Sequence, residues 1–387
     1  MLSLPNEIIY HILKYGDYES IISIYKVSKR FAFLDLLLLL REILKQMTKF
    51  TIDTYSKQNM LHLYKILTCK DKIIAGINHS LILKDNGRLY HLENTFDREI
   101  TEISIVSEIN IPGLQNEIIY DIIPQSDQSL ILTANKQVYI SKFNCQQEHR
   151  HIHQQEEEQN YSLTFLLNDC CCISNYSNHS LILTNIGCIY KYNHYHDIRT
   201  LIPHLPNAKI IQISRGCGHS LLLSEEGQVY SFGSNYYGQL GHIYISNHNH
   251  PELIPSLSDI IQITAGAIHS LALTVTGTIF GFGSNHCGQL ALNQSLIYAP
   301  TLISKLSDIV SISAGNCHSL VLNIYGRVYG FGSNGNGQID PKNTQNKYTP
   351  YLISDLTHII KISAGISHSL ALDDKNRVYV FGYNRWT

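Results

Sequence analysis

Two different hydrophobic periods divide this chain. Near the N-terminus apolar residues recur at helical spacing: Leu4, Ile8, Ile9, Ile12 and Leu13 fall on one helix face. Ser3 stands ahead of that helix as a cap, and Pro5 suits its first turn. Gly16 and Asp17 break the pattern. A second apolar set follows at Ile21, Ile22, Ile24, Tyr25 and Val27, and a third at Phe31, Phe33, Leu34 and Leu37 to Leu40. The spacing predicts three short helices over residues 1–45. Such a bundle is too small to be robust alone, and so much Ile and Leu suggests that a partner completes its core. Residues 46–60 are polar and without a strong period, a linker or a continuing helix.

From residue 61 to residue 387 the apolar residues come in short, strand-like runs, and the runs repeat. The clearest copies read ITAGAIHSLALT, SISAGNCHSLVL and ISAGISHSLALD. The anchor of each copy is His79, Gln128, His179, His219, His269, His318 or His368, at separations of 49, 51, 40, 50, 49 and 50 residues. Around His269, DIIQITAG is an apolar run ending in Gly, and HSLALT alternates small or polar residues with Leu. The second run therefore reads as a strand with one buried face. TIFGFG is a further strand, SNHCGQL supplies residues that tolerate positive φ, and APTLISKL contains another strand. Four strands in each period of about fifty residues make a propeller blade. The expected fold is mainly β: a seven-bladed β-propeller over 61–387, behind the small three-helix module.

The first three copies are worn. Gln128 replaces His, Tyr90-His91-Leu92 lacks the Phe-Gly that follows elsewhere, and the 40-residue step after His179 implies a shortened outer loop. Residues 144–160 are polar and read as a solvated insertion that includes His149, His151, His153 and Glu156 to Glu158. The last copy stops just after YVFG, so its outer strand must come from the other end of the repeats. Residues 61–67, LHLYKIL, are the apolar stretch expected to supply it.

Composition narrows the function. Charged residues are 16% of the chain and the formal net charge is −2, so no basic surplus draws it to nucleic acid. The nine cysteines form no C-x-x-C pair and read as reduced thiols filling strands. Glu7 interrupts the apolar start and no basic segment precedes it, so no secretory signal is expected. The Leu36 to Leu40 run is far too short to span a bilayer, and no membrane association is expected. The many Ile, Asn and Tyr residues fit AT-rich coding, a bias of large DNA viruses and some protists. The expected location is the cytoplasm, with the nucleus as a second, in a host cell if the source is viral.

The recurring histidines do not read as catalytic. Equivalent positions on seven blades are spread round a ring and cannot meet at one substrate. A His in nearly every blade is better explained as a repeated structural hydrogen bond to a backbone group. No G-x-G-x-x-G follows a strand and opens a helix, and no G-x-S-x-G is present. No catalytic, cofactor or metal residue is expected.

The repeats strongly resemble those of the regulator of chromosome condensation family, which form a seven-bladed propeller. The likeness rests on Ala265, Gly266, His269, Ser270, Leu271, Gly277, Phe282, Gly283, Asn285, Gly288, Gln289 and Leu290, and on the same places from Ala314 to Gln338 and from Ala364 to Gly382. LPNEIIYHILKY and SIISIYKVSKRFAFL in turn resemble the two halves of an F-box. That resemblance implies binding to the Skp adaptor of a cullin-based ubiquitin ligase through Leu4, Pro5, Ile8, Ile9, Ile12, Leu13, Val27 and Phe31. The implied function is non-enzymatic: a substrate-recognition subunit whose propeller holds an unknown target protein. The alternatives are guanine-nucleotide exchange on a Ran-like small GTPase, as the founding propeller performs, and a scaffold without a ligase.

Overall fold

The computed structural model describes residue 65 and residues 69–383, apart from 77–79, 93–99, 104, 125–127, 144–160, 177–178, 194–195, 197, 204 and 206–207. The helical module expected over 1–45 and the 46–60 linker lie outside the described residues, as do the eight adaptor-binding candidates. Among the described residues no helix is long and apolar enough to cross a membrane.

Seven four-stranded antiparallel sheets make up the described chain. Blade 5 is typical. Its innermost strand Ile260–Ala265 pairs with His269–Thr274, which pairs with Ile279–Ser284, which pairs with the outer strand Leu296–Leu302. The innermost strands of the other blades are Lys72–Ala75, Ile119–Pro124, Cys170–Tyr176, Ile210–Arg215, Ile309–Ala314 and Ile359–Ala364. Each touches the innermost strand on either side, so the ring is closed.

The second strand of a blade differs from its sequence reading. Gln128–Thr133, His219–Ser224, His269–Thr274, His318–Asn323 and His368–Asp373 are buried at every position, not on one face. The reason is radial packing: both faces of a blade are covered by its neighbours, so Ser and Ala are as buried as Leu. The shortened loop of blade 3 is as expected. Only residues 194–197 separate its third strand, Ile189–Asn193, from its outer strand, Ile198–Ile202.

Ring closure corrects a second expectation. The outer strand of blade 7 does come from the N-terminal end of the repeats, but it is Thr101–Ile103, paired with Val378–Gly382, and not residues 61–67. The donated strand lies between the third strand of blade 1, Leu89–Leu92, and that blade's own outer strand, Ile105–Ile109. One short crossing thus serves two blades. Of residues 61–67 only Lys65 is described, and it is helical. Its ammonium reaches blade 7 through Asp374 Oδ2 at 3.1 Å. An apolar run cannot reveal this, because edge pairing needs backbone groups and Thr-Glu-Ile supplies them as well as LHLYKIL does.

Polar side chains stitch the seams. Ala265 N donates to Ser214 Oγ at 2.9 Å, Ala314 N to Thr264 Oγ1 at 3.2 Å, Ala364 N to Ser313 Oγ at 2.9 Å and Ala75 N to Ser363 Oγ at 3.0 Å. Arg215 N likewise donates to Ser174 Oγ at 3.0 Å. The remaining two seams lack the parts. Ile74 and Ile123 carry no hydroxyl, and Pro124 has no N–H.

Candidate docking face and central cavity

Four of the recurring His residues are structural, but their partner is not the backbone group expected. His219 Nε2 lies 2.9 Å from Ser270 Oγ, His269 Nε2 3.0 Å from Ser319 Oγ, His318 Nε2 3.0 Å from Ser369 Oγ and His368 Nε2 3.0 Å from Ser80 Oγ. Each bond joins one blade to the next. The serines at the first three seams donate onward to the carbonyls of Gln239, Gln289 and Gln338. With the hydroxyl proton committed there, the imidazole must be the donor at Nε2, and Nδ1 is left bare. Burial pushes each of these four imidazoles down to about 3, with a neighbouring cation or histidine adding to the effect. They are neutral struts at neutral pH. A Gly precedes each by three residues because the ring lies on its backbone. A Cβ on Gly266 would sit 2.1 Å from His269 Cε1 and 2.5 Å from Gly315 O.

Other candidate chemistry is also quiet. Burial pushes the thiols of Cys170 up to about 12 and of Cys172 and Cys317 up to about 11, so none is a ready nucleophile. His149, His151 and His153 lie outside the described residues. One His/Glu cluster escaped the sequence reading: the donor atoms of His242, His248 and Glu252 lie within 4.8 Å of one another. The imidazoles of His242 and His248 are stacked, with centroids 4.9 Å apart and planes 13° from parallel. Their in-plane lone pairs therefore run side by side instead of converging on one ion. His242 Nε2 is 3.1 Å from Ser231 Oγ, which ties the loop to its blade, and His248 Nδ1 is 2.6 Å from Glu252 Oε2 of the same outer strand.

That loop lies on one face of the ring. In an antiparallel blade the innermost and third strands run the same way, so the connections that follow them leave the ring on the same side. The loop after Val229–Gly233 in blade 4 is built round Asn235. Its Oδ1 accepts from Leu240 N at 3.0 Å, and its Nδ2 donates to His242 O at 3.4 Å and Tyr244 O at 2.6 Å. Asn285 and Asn334 hold the matching loops of blades 5 and 6 in the same way. Of these three loops only that of blade 4 sends large apolar groups outward: Tyr236 is 67% exposed, Ile243 69%, Tyr244 72% and Ile245 62%. Blade 5 carries His286, Asn293, Gln294 and Ser295 at these places, and blade 6 carries Gly335, Lys342, Asn343 and Thr344. The signal was legible as YYGQLGHIYI, had the blades been compared position by position.

On the same side the ends of all seven innermost strands surround a central cavity of about 320 Å³. Most of its wall is Ala, Gly and Ile. On the blade 3–4 side it carries Ser174, Asn175, Tyr176 and Arg215, with Asn316 across the ring accepting from the Tyr176 hydroxyl at 2.9 Å.

A closed ring of seven four-stranded blades defines the class: a seven-bladed β-propeller. In its C-terminal part the chain carries Regulator of chromosome condensation (RCC1) repeats, matched over 226–273, 276–322 and 325–372, and by a second description of the repeat over 210–239, 260–289 and 309–338. An F-box domain matches residues 1–34. The chain is 43% identical over 58 residues to the RCC1 domain-containing protein RUG3, mitochondrial, of Arabidopsis thaliana, a stretch of 15% of this chain and 13% of that protein. Human WBSCR16 shares the fold, with a TM-score of 0.60 and 17% identity over 83% of this chain and 88% of that one. Saccharomyces cerevisiae Prp20p, described for its binding to Gsp1p and histones, has a TM-score of 0.60 and 16% identity over 82% of each chain.

Proposed function

We propose that this protein is the substrate-recognition subunit of a Skp–cullin–F-box type ubiquitin ligase. One observation carries the reading: the chain that matches an F-box domain over residues 1–34 continues into a propeller whose blade 4 loop exposes Tyr236, Ile243, Tyr244 and Ile245. Solvent-facing aromatic and aliphatic side chains grouped on one loop are the composition of a protein-docking surface. The F-box docks on a Skp-type adaptor through Leu4, Pro5, Ile8, Ile9, Ile12, Leu13, Val27 and Phe31. The propeller face holds the target in the cytoplasm or nucleus. The subunit performs no chemistry itself, and acts by raising the target's concentration near the ligase.

Affinity purification of the full chain tests this, with Skp and cullin subunits expected in the eluate. Pro5→Ala with Ile9→Ala should cost about 2 kcal/mol or more, roughly 30-fold in adaptor affinity, and leave the propeller's melting temperature unchanged. A wild-type chain that recovers no adaptor, or a double variant that recovers as much as wild type, refutes the reading. Nucleotide exchange takes its support from the fold shared with Prp20p. Acceleration of GDP release from Ran by tenfold or more at micromolar protein would favour it instead.

A further inference from the structure

The innermost-strand position that pairs with the serine of the second strand is occupied by Ala75, Pro124, Asn175, Arg215, Ala265, Ala314 and Ala364. Four of the seven are alanine, and only one is charged. Arg215 is 6% exposed and lines the central cavity. Its Nη1 donates to Ser220 Oγ at 3.3 Å, the hydroxyl that the seam pattern would assign to His179, and His179 is only partly buried. Its Nε has no partner. Beside it, Asn175 has neither Nδ2 nor Oδ1 partnered.

Among the described residues no carboxylate lines the cavity. Burial depresses the guanidinium to about 10, and Arg215 in turn helps to lower both Lys191 and His179. Neither Arg215 nor Lys191 has an ion-pair partner among the described residues. A buried cation without a counter-ion works against folding. The alanines in four other blades show that the ring does not need one at this place.

We propose that the central cavity is a carboxylate pocket: Arg215 takes the carboxylate on its free guanidinium edge, Asn175 donates from its amide, and the apolar wall of Ile74, Ala265, Ala314 and Ala364 receives a short aliphatic stem. A planar fork matches a planar carboxylate. A phosphate dianion needs more donors than these two side chains provide. The cavity opens on the face that carries the blade 4 loop, so the carboxylate comes either from a small free acid or from a Glu side chain of a bound polypeptide. The proposal does not rest on the F-box reading, since no adaptor enters it.

The test uses the full chain at fixed pH and ionic strength. Calorimetry measures binding of sodium glutarate, of inorganic phosphate, and of the capped peptide Ala-Ala-Glu-Ala-Ala beside its Gln counterpart. Saturable binding of glutarate or of the Glu peptide is expected, with phosphate and the Gln peptide at least tenfold weaker. Preference between the two binders distinguishes a free acid from a side chain. Arg215→Ala places there the residue that four other blades carry. It should melt no lower than wild type and weaken binding at least tenfold, and Arg215→Lys should recover only part of the loss. Binding of neither carboxylate probe, equal binding by Arg215→Ala, tighter binding of phosphate, or a sharp fall in the melting temperature of Arg215→Ala would each overturn the proposal.

Discussion

His318 Nε2 of blade 6 lies 3.0 Å from Ser369 Oγ of blade 7, and both residues are fully buried. Ser369 in turn donates to Gln338 O at 2.7 Å, so one hydroxyl ties three segments together. Ser369→Ala leaves the imidazole N–H and the Gln338 carbonyl without that partner. The expected loss is about 1–3 kcal/mol of unfolding free energy, measured by urea denaturation. A double-mutant cycle with His318→Ala should show coupling, because the two side chains serve one bond. Additive losses would mean that the bond contributes nothing to the seam.

Stability should fall steeply in mild acid. In the unfolded chain each imidazole takes a proton near pH 6.5, whereas His219, His269, His318 and His368 resist protonation in the fold until about pH 3. Between those values the unfolded state holds more protons. The stabilisation is therefore complete above pH 6.5 and lost as pH drops below it. Each histidine contributes a slope of up to about 1.4 kcal/mol per pH unit. The melting temperature, followed from pH 7.5 to pH 4.5, is expected to be level at first and then to decline. A flat profile through pH 5 would contradict neutral histidine struts.

Closure of the ring depends on Thr101–Ile103. Adjacent residues of a strand send their N–H groups to opposite sides, so Thr101→Pro with Glu102→Pro removes a ladder bond whichever register face is used. The double variant should melt lower and aggregate more readily, because the Val378–Gly382 strand becomes an open edge. Removal of residues 1–60 should leave closure intact. Were the proline variant as stable as wild type, closure would have to lie elsewhere.

Target capture should fail when the blade 4 loop is made polar. Tyr236→Ser with Tyr244→Ser alters two side chains that are well exposed, so stability should change by no more than about 0.5 kcal/mol. Loss of two aromatic anchors should weaken a bound protein by roughly 30-fold or more. Quantitative mass spectrometry of proteins retained by wild type and variant reads this directly. An unchanged set of retained proteins would remove the loop from the docking face.

The blade count, four strands per blade and the structural nature of the histidines were all legible in the chain, because turn glycines and strand runs are local and recur with the period. Partners across a seam were not. His219 and Ser270 are 51 residues apart, and nothing local says that the serine one blade on, not a nearby carbonyl, faces the ring. The closing strand escaped for a similar reason: Thr101–Ile103 pairs through backbone atoms that every sequence has. Burial of both faces of HSLALT followed from radial packing, which alternation along one strand cannot report.

Arg215 shows the same division most plainly. As a letter in IIQISRG it is one more polar residue at a strand end, where the other repeats have Ala, Pro or Asn. Only closure of the ring turns that place inward, removes its water and surrounds it with uncharged walls. The sequence by itself determined which local units form and how often. Tertiary structure decided which polar groups meet and which are buried without a counterpart, because those depend on distances between blades that no single repeat encodes.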